Sequence, residues 1–435
     1  MKRRLFILTI AMIMLVGLLV ACASEETPSG TDATGSGEDV NLEFWHIQTM
    51  SPRVDIIAAS VDRFIEANPQ YSVEIVPIMN DVYKDRILIA MGAGEVPDIF
   101  MSWSGGPMIE YVNAGHIYDI TDMFNASGLL GRYLEGGIAQ ATYNDRIWGV
   151  PTENVAVAAV WYNREIFENL GLSVPNTITE LEQVAEILVE NDIIPFALAN
   201  GPRWTGSMYF MYLATRHGGL DPLINAVTGE GSFEHPSFVF AGERLQDWVT
   251  RGFFAPGFNG NDEDAGDSRQ LLYAEVAAMH IMGAWFVSQV DSENADFLDK
   301  LGVFPFPAYE NSTADQNIAI GTAGDNFYHV GTTSPSHQGA FDLIMQLLDE
   351  QAVVERIESG AVPPLHGIEP EVPLARDAVA IMQRAPAVQL WYDQFLPPEV
   401  GQAHLDTLQA IFGLTMTPEE ANSAVQATLD AHLAR

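Results

Sequence analysis

Positive charge and cysteine are scarce in this chain of 435 residues. Lysine occurs only at Lys2, Lys84 and Lys300, and 20 Lys and Arg stand against 58 Asp and Glu, which gives a formal net charge of −38. Such a surface repels phosphate groups, so the composition excludes a general nucleic-acid-binding protein. It would also be repelled by anionic lipids unless something anchored it to a membrane. The single cysteine, Cys22, excludes an intramolecular disulfide.

The sequence also lacks the local motifs of common catalytic and metal sites. There is no Gly-x-Ser-x-Gly elbow, His-Glu-x-x-His helix or Walker loop, and the ten His are scattered without ligand spacing. A pair of carboxylates for glycoside hydrolysis stays open, because 58 acidic residues allow many pairs. The acidic segment 259–267 does not match an EF-hand, and we interpret it as a solvated loop. We therefore predict no catalytic residue, metal or cofactor.

Residues 1–21 predict a secretory signal peptide. The basic start at 2–4 is followed by an apolar run over 5–20, which is shorter than the roughly 20 residues of a membrane-spanning helix. The run ends in Leu-Val-Ala-Cys at 19–22, which resembles the bacterial lipoprotein box. That resemblance implies cleavage before Cys22 and lipid attachment to its thiol. An uncleaved anchor helix is the alternative.

The next segment predicts a flexible tether. Residues 23–39 are rich in Ser, Thr, Gly and acid, and they contain no aliphatic side chain larger than Ala. We therefore assign 22–40 to a lipidated cysteine and its tether. Together with the signal peptide, this predicts an exported protein that is anchored by lipid at the outer face of the cell membrane or in the periplasm.

The rest of the chain predicts an α/β fold. Segments with strand-like patterns alternate with segments of helical periodicity, which favours a mostly parallel sheet in at least two lobes. The predicted strands are 41–47, 71–78, 97–103, 155–162 and 195–199. The predicted helices are 54–67, 83–91, 179–191, 207–216, 238–250, 338–358 and most of the chain after 374.

Several tryptophans indicate a ligand site. Trp45, Trp103, Trp204 and Trp285 lie near the ends of predicted strands or beside Gly and Pro. Ligands of open α/β sheets collect beyond the carboxyl ends of strands. Aromatic faces there suit the apolar C–H faces of sugars, while carboxylates and amides bind the hydroxyl groups. Core packing is the alternative for each of them, and we predict it for Trp161 and Trp248.

Four stretches resemble the family 1 extracellular solute-binding proteins, which serve bacterial ABC importers of sugars. They are GEVPDIFMSW at 94–103, the GVP at 149–151 with WYNREIFENLGL at 161–172, AEVAAMHIMGAW at 274–285, and ESGAVPP at 358–364. The third departs from the family pattern, because Glu275 and Val276 stand where Gly-Lys is usual. The second is the most specific.

The resemblance implies a hinged, two-lobed fold of the type II periplasmic-binding-protein kind, with a helical C-terminal region. One lobe would comprise 41–157 and about 315–365, and the other 158–314 and about 366–435. A monomer is expected. Carried over position by position, the family's ligand contacts fall on Trp45, His46, Trp103, Glu153, Trp204, Trp285, Asp325, Asn326 and Trp391.

The function implied is that of a non-catalytic carbohydrate receptor. It would bind a sugar, with an oligosaccharide favoured, and deliver it to an ABC transporter permease by hinge closure. Two alternatives remain open. One is a surface-anchored carbohydrate-active enzyme. The other is a receptor of the same fold that binds a non-sugar solute such as a polyamine, peptide or metal chelate.

Overall fold

A computed structural model describes residues 39–435, and Asp39–Arg435 forms one compact unit. The predicted signal peptide, Cys22 and the tether up to residue 38 lie outside the described residues. Within 39–435, no helix combines the length and apolar character that crossing a membrane requires.

The described strands occur in pieces of two to eight residues. They are β1 (Val40–His46), β2 (Tyr71–Pro77), β3 (Ile99–Ser102), β4 (Thr142–Tyr143), β5 (Arg146–Ile147), β6 (Val150–Pro151), β7 (Ala156–Asn163), β8 (Ile194–Phe196), β9 (Ala277–Gly283), β10 (Leu301–Phe304), β11 (Ala319–Thr322), β12 (Phe327–Val330) and β13 (Val388–Gln389). All five strands predicted from the sequence are present, with ends shifted by a few residues.

Helices fill much of the chain between these strands. They are α1 (Arg53–Ala67), α2 (Asn80–Ala93), α3 (Gly106–Asn113), α4 (Thr121–Ser127), α5 (Glu135–Gln140), α6 (Arg164–Leu170), α7 (Ile178–Glu190), α8 (Trp204–Gly218), α9 (Asp221–Thr228), α10 (Pro236–Thr250), α11 (Asp267–Tyr273), α12 (Phe286–Asn294), α13 (His337–Gln346), α14 (Glu350–Glu358), α15 (Pro373–Arg384), α16 (Tyr392–Phe395), α17 (Pro398–Phe412) and α18 (Pro418–Leu433). The helix predicted over 338–358 is two helices, because Asp349 caps the start of α14.

The strands form two main sheets. The first has the order β2-β1-β3-β12-β6, and the second has the order β13-β11-β7-β9-β8 with β10 paired to β7. The prediction of a mostly parallel sheet is wrong. β1, β2 and β3 run parallel, but β12 is antiparallel to β3, and β7 is antiparallel to β9. The reason is that β12 begins beside the carboxyl end of β3 and runs back along it, with Phe327 opposite Ser102 and Val330 opposite Ile99.

Each sheet has its own hydrophobic core. We call the first sheet with the elements packed on it the first lobe, and the second sheet with its elements the second lobe. Phe44 and Phe100 are fully buried in the core of the first lobe. Trp161 and Trp248 are fully buried in the core of the second lobe, so their prediction as core residues is confirmed.

Helix α7 shows how local sequence sets an element of the second lobe. Its apolar side chains recur at helical spacing, with Ile178, Leu181 and Leu188 buried. Thr177 accepts a hydrogen bond from the backbone N–H of Glu180, and the Glu180 carboxylate accepts one in return from the N–H of Thr177. This is a capping box, and Thr177 is the cap of α7.

Thr177→Ala is expected to lower the free energy of unfolding by about 1 kcal/mol, because the first turn of α7 loses its side-chain acceptor. Urea unfolding measures the loss. Thr179→Ala is the matched control, because Thr179 is exposed two residues further along the same helix, and its effect should stay within about 0.5 kcal/mol. Equal losses in the two variants would contradict the assignment of the cap.

Three segments of chain meet between the lobes, at 152–155, 323–326 and 359–362. The N–H of Glu153 donates to the carbonyl of Asp325 at 3.1 Å, the N–H of Asp325 donates to the carbonyl of Asn154 at 2.9 Å, and the N–H of Val155 donates to the carbonyl of Val362 at 2.8 Å. We call these segments the hinge. The lobe boundaries stay a prediction. Because β11 pairs with β7 in the second sheet, we expect the chain to return to the first lobe after β11, at 323–326.

Candidate functional site

A cavity of about 190 Å³ lies between the two lobes. Its lining combines indole rings with carboxylates, amides and cationic side chains. The lining includes Arg53, Lys84, Trp103, Trp204, Asp264, Trp285, Asp325, Asn326, Trp391 and Asp393. Both cores contribute to this list, so a ligand held here would contact both lobes at once.

The ends of strands position most of these side chains. Trp103 directly follows β3, while Asp325 and Asn326 connect β11 to β12. Trp285 lies between the end of β9 and the start of α12, and Trp391 precedes α16. Polar and aromatic groups from several strands therefore converge at one edge of each sheet, as expected for ligand sites of α/β folds.

Three of the tryptophans form a cluster in the second lobe. The ring centroid of Trp285 lies 6.2 Å from that of Trp204 and 5.7 Å from that of Trp391. The Trp285 ring folds back over Gly283, where a Cβ atom would overlap the indole. The Gly-Ala-Trp order at the end of β9 thus fixes the ring orientation, because only a residue without a side chain leaves that space.

Six of the nine positions predicted from the sequence line this cavity. They are Trp103, Trp204, Trp285, Asp325, Asn326 and Trp391. The structure does not place the other three there. Trp45 is 7% exposed, its indole N–H donates to Glu43 at 2.7 Å, and the Arg86 guanidinium covers its ring at 4.4 Å.

His46 and Glu153 also lie beneath the cavity lining rather than on it. His46 is fully buried, and burial lowers the pKa of its imidazole to about 4. The Glu153 carboxylate lies 2.7 Å from Nη1 of Arg356 and 3.8 Å from Nη1 of Arg53, and the Glu153 and Arg356 side chains are at most 2% exposed. Glu153 therefore pairs with two guanidinium groups at the hinge. It does not line the cavity, although it lies close in the sequence to the strand end at which a ligand contact was predicted.

Arg53 joins this buried group to the opposite lobe. Its Nη2 donates to the hydroxyl of Ser288 at 2.7 Å, and Ser288 belongs to α12 of the second lobe. Both residues line the cavity. The same guanidinium thus contacts the hinge carboxylate on one side and the wall of the cavity on the other.

Asp325 is half-buried at the cavity lining. Burial is the main cause that raises the pKa of its carboxyl from 3.8 to about 7, and the negative charge of Glu153 also raises it. The hydrogen bond that the carboxylate accepts from the N–H of Asn326 and the positive charge of Arg53 lower this pKa. The folded protein therefore holds this proton more tightly than the unfolded chain does between pH values of about 4 and 7.

A raised pKa makes a carboxyl less stabilising as pH increases through that window. We expect the free energy of unfolding of the wild type to fall relative to that of Asp325→Asn between pH 4 and pH 7, and the difference to level off near pH 8, since the amide cannot ionise. Urea unfolding of both proteins across this range measures the difference. An identical pH dependence of the two proteins would contradict the raised pKa.

A second polar group at the cavity was not predicted from the sequence. The N–H of Asp81 in α2 donates to Oδ2 of Asp264 at 2.9 Å, and the indole N–H of Trp204 donates to Oδ1 of Asp81 at 3.2 Å. Nζ of Lys84 lies 3.6 Å from Oδ2 of Asp393. These contacts join α2 of the first lobe to the second lobe. The signal that could have found Lys84 is its rarity, since the sequence contains only three lysines.

The interpretation of 259–267 as a solvated loop is wrong in part. Glu263 is buried and lies 2.8 Å from Nη1 of Arg269, and Glu293 holds the other side of the same guanidinium at 2.9 Å. This ion pair folds the loop inward, so that Asp264 reaches the cavity. Across residues 39–435, no three His, Cys, Asp or Glu side chains are grouped as a metal site.

Two lobes, a backbone hinge and a cavity between them define a protein that binds a solute by enclosing it. The chain belongs to the family of bacterial extracellular solute-binding proteins, whose model matches residues 51–342. Members of this family are exported receptors rather than a class of enzymes. The family resemblance seen in the sequence and the predicted two-lobed α/β fold are thereby confirmed.

Among curated proteins, the chain is similar to the multiple sugar-binding protein of Streptococcus mutans, with 26% identity over 71% of this chain and 70% of that protein. It is also similar to the xylose/arabinose-binding protein XacG of Haloferax volcanii, with 21% identity over 70% of this chain and 64% of that protein.

Two solved structures share the fold. A protein from work on xylan utilization by Caldanaerobius polysaccharolyticus has a TM-score of 0.83 and 26% identity, over 89% of this chain and 99% of that one. A chitin oligosaccharide binding protein has a TM-score of 0.84 and 23% identity, over 92% of this chain and all of the other. The second likeness shows the fold alone.

Proposed function

We propose that this protein is the extracytoplasmic carbohydrate receptor of an ABC importer, and that it delivers the sugar to the permease after its lobes close. The observation that carries the proposal is the cluster of Trp204, Trp285 and Trp391 on one wall of the interlobe cavity. The names of the curated relatives, which bind sugars, support it.

The chemistry of the lining suits a sugar. Indole faces pack against the apolar C–H faces of a pyranose ring, and burying that area provides most of the affinity. Carboxylate and amide oxygens accept hydrogen bonds from the ring hydroxyls, while N–H groups donate to them, so that desolvated hydroxyls find partners. The cavity offers Asp325, Asn326 and Asp393 for this purpose.

Closure of the lobes would couple binding to transport. The hinge segments are held by backbone hydrogen bonds. Two hydrogen bonds cross the cleft between the lobes, one from Arg53 to Ser288 and one from Asp81 to Asp264. A ligand that contacts both walls stabilises this closed arrangement over an open one by its difference in affinity for the two. The permease would then distinguish the loaded receptor from the empty one by shape.

The receptor works as an exported, lipid-anchored monomer in this proposal. The basic start, the apolar run and the lipoprotein-like Leu-Val-Ala-Cys support a signal peptide over 1–21 and lipidation of Cys22. A tether over 22–40 would keep the receptor close to the permease and so raise its effective concentration there. The ligand-contact roles of Trp103, Trp204 and Trp285 belong to the same proposal.

A ligand panel tests the function. Purified protein is melted in the presence of mono- and oligosaccharides, of polyamines, and of peptides and metal chelates, and each hit is titrated by calorimetry. A sugar that binds the folded state raises the melting temperature. Stabilisation by the non-sugar solutes alone would mean that the receptor binds a ligand of another class and not a sugar.

The same samples distinguish a receptor from an enzyme. Each oligosaccharide is incubated with the protein and followed by chromatography over a day. A receptor returns the oligosaccharide unchanged, whereas products that accumulate with time would favour a surface-anchored carbohydrate-active enzyme and overturn the receptor proposal.

A further inference from the structure

The ammonium group of Lys84 occupies an aromatic and acidic corner of the cavity. Its Nζ lies 5.2 Å from the ring centroid of Trp103 and 5.8 Å from that of Trp204. Oδ2 of Asp393 lies 3.6 Å from the same Nζ. Indole rings with a nearby carboxylate form the kind of cage that recognises an ammonium ligand. In this protein a side chain of the chain itself fills that position.

Two more carboxyl groups face the same corner. Asp81 lies one helical turn before Lys84, and its N–H donates to the Asp264 carboxylate at 2.9 Å. Burial and then the Asp264 charge raise the pKa of Asp81 to about 6, whereas the Lys84 charge acts in the opposite direction. The pKa of Asp264 is raised as well, with burial as the main cause, and Lys84 again opposes the shift. One ammonium therefore faces three carboxyl groups.

The other cations of the cavity lining are held elsewhere. The Arg269 guanidinium is paired with Glu263 at 2.8 Å and with Glu293 at 2.9 Å. Arg53 faces Glu153 at the hinge at 3.8 Å. Lys84 thus supplies the positive charge at the end of the cavity formed by Trp103 and Trp204, which would otherwise carry an excess of carboxyl groups.

We propose that Lys84 determines the charge of the sugar that the receptor accepts: its ammonium fills the cation position between Trp103 and Trp204, so that neutral sugars bind and sugars with a protonated amine are rejected. This inference rests on the proposed carbohydrate function. Discrimination against one ligand by an unfavourable like charge is a common source of specificity. Removing the charge of Lys84 leaves indole faces and carboxyl groups, which attract an amine.

Matched sugar pairs test the proposal, with Lys84→Met as the variant because methionine keeps an unbranched apolar stem without the charge. The pairs are glucose with glucosamine, galactose with galactosamine, and cellobiose with its β-1,4-linked diamino analogue, fully deacetylated chitobiose. Melting curves and calorimetry are recorded for the wild type and for the variant. Lys300→Met is the control. It makes the same change in net charge at a half-buried lysine outside the cavity lining, which pairs with Glu165 at 2.8 Å and with Glu275 at 2.6 Å.

For at least one pair, the ratio of amine affinity to neutral affinity is expected to rise about ten-fold or more in Lys84→Met, and to stay unchanged in Lys300→Met. The role of Lys84 would be overturned if the ratio of amine affinity to neutral affinity were the same in the wild type and both variants. It would also be overturned if the amino sugars bound the wild type as tightly as they bind Lys84→Met. Failure of every amine to stabilise Lys84→Met would do so too. If the wild type binds no sugar of the broad panel, it is the carbohydrate function that fails instead.

Discussion

Trp285→Ala is expected to raise the dissociation constant of the bound sugar by about 100-fold. The indole is the middle ring of the cluster, 6.2 Å from Trp204 and 5.7 Å from Trp391 by ring centroids. Its loss removes a stacking face and also leaves the other two rings without a neighbour between them. Calorimetry with the sugar that most stabilises the wild type measures the change.

Two controls separate stacking from folding in this experiment. Trp285→Phe keeps an aromatic face and should lose about ten-fold or less. Trp148→Phe changes a tryptophan outside the cavity lining, whose indole N–H donates to the carbonyl of Tyr143 at 2.9 Å, and the affinity should not change. If Trp285→Ala binds as tightly as the wild type while remaining folded, the aromatic wall is not the sugar site.

Glu153→Ala is expected to lower the free energy of unfolding by about 3 to 5 kcal/mol, because it leaves a buried positive charge without its partner. The side chains of Glu153 and Arg356 are 1% and 2% exposed, and their charged atoms lie 2.7 Å apart. Within the described structure, Nε and Nη2 of Arg356 have no hydrogen-bond partner, so Glu153 is the group that balances this guanidinium. Chemical unfolding measures the loss.

An exposed acid and a double variant complete that test. Glu135→Ala removes a carboxylate that is 89% exposed and lies 3.5 Å from His366, so its effect should stay below about 1 kcal/mol. Arg356→Met is expected to cost much less in the background of Glu153→Ala than alone, because the pair is already broken. Strict additivity of the two losses would argue against a coupled buried pair.

Local patterns were sufficient to predict most of the secondary structure. The apolar spacing of α1 and α7 and the continuous apolar run of β7 are properties of neighbouring residues, so the sequence carries them directly. Strand direction is different. The antiparallel entry of β12 depends on the chain crossing from the other lobe, and this contact joins residues more than 200 positions apart.

The candidate site was predictable where it follows strand ends. Trp103 and Trp285 reach the cavity because the strands before them end at the cleft, which is a rule of the fold. The same rule also selected Trp45, and the family resemblance added His46 and Glu153, yet the side chains of these three residues turn into the interior of the first lobe and the hinge. Which way a side chain points at a strand end depends on packing against neighbours that the local pattern does not contain.

By itself, the sequence determined the family, the two-lobed α/β class, the export signal as a prediction and the aromatic character of the site, because motifs and periodicities are local. Only the tertiary structure decided which acids and cations meet. Lys84 between Trp103 and Trp204, Asp81 against Asp264, and the buried pair of Glu153 and Arg356 each join segments distant in the chain. Electrostatic interactions depend on distance and burial in space, and neither is encoded in the spacing of residues along the sequence.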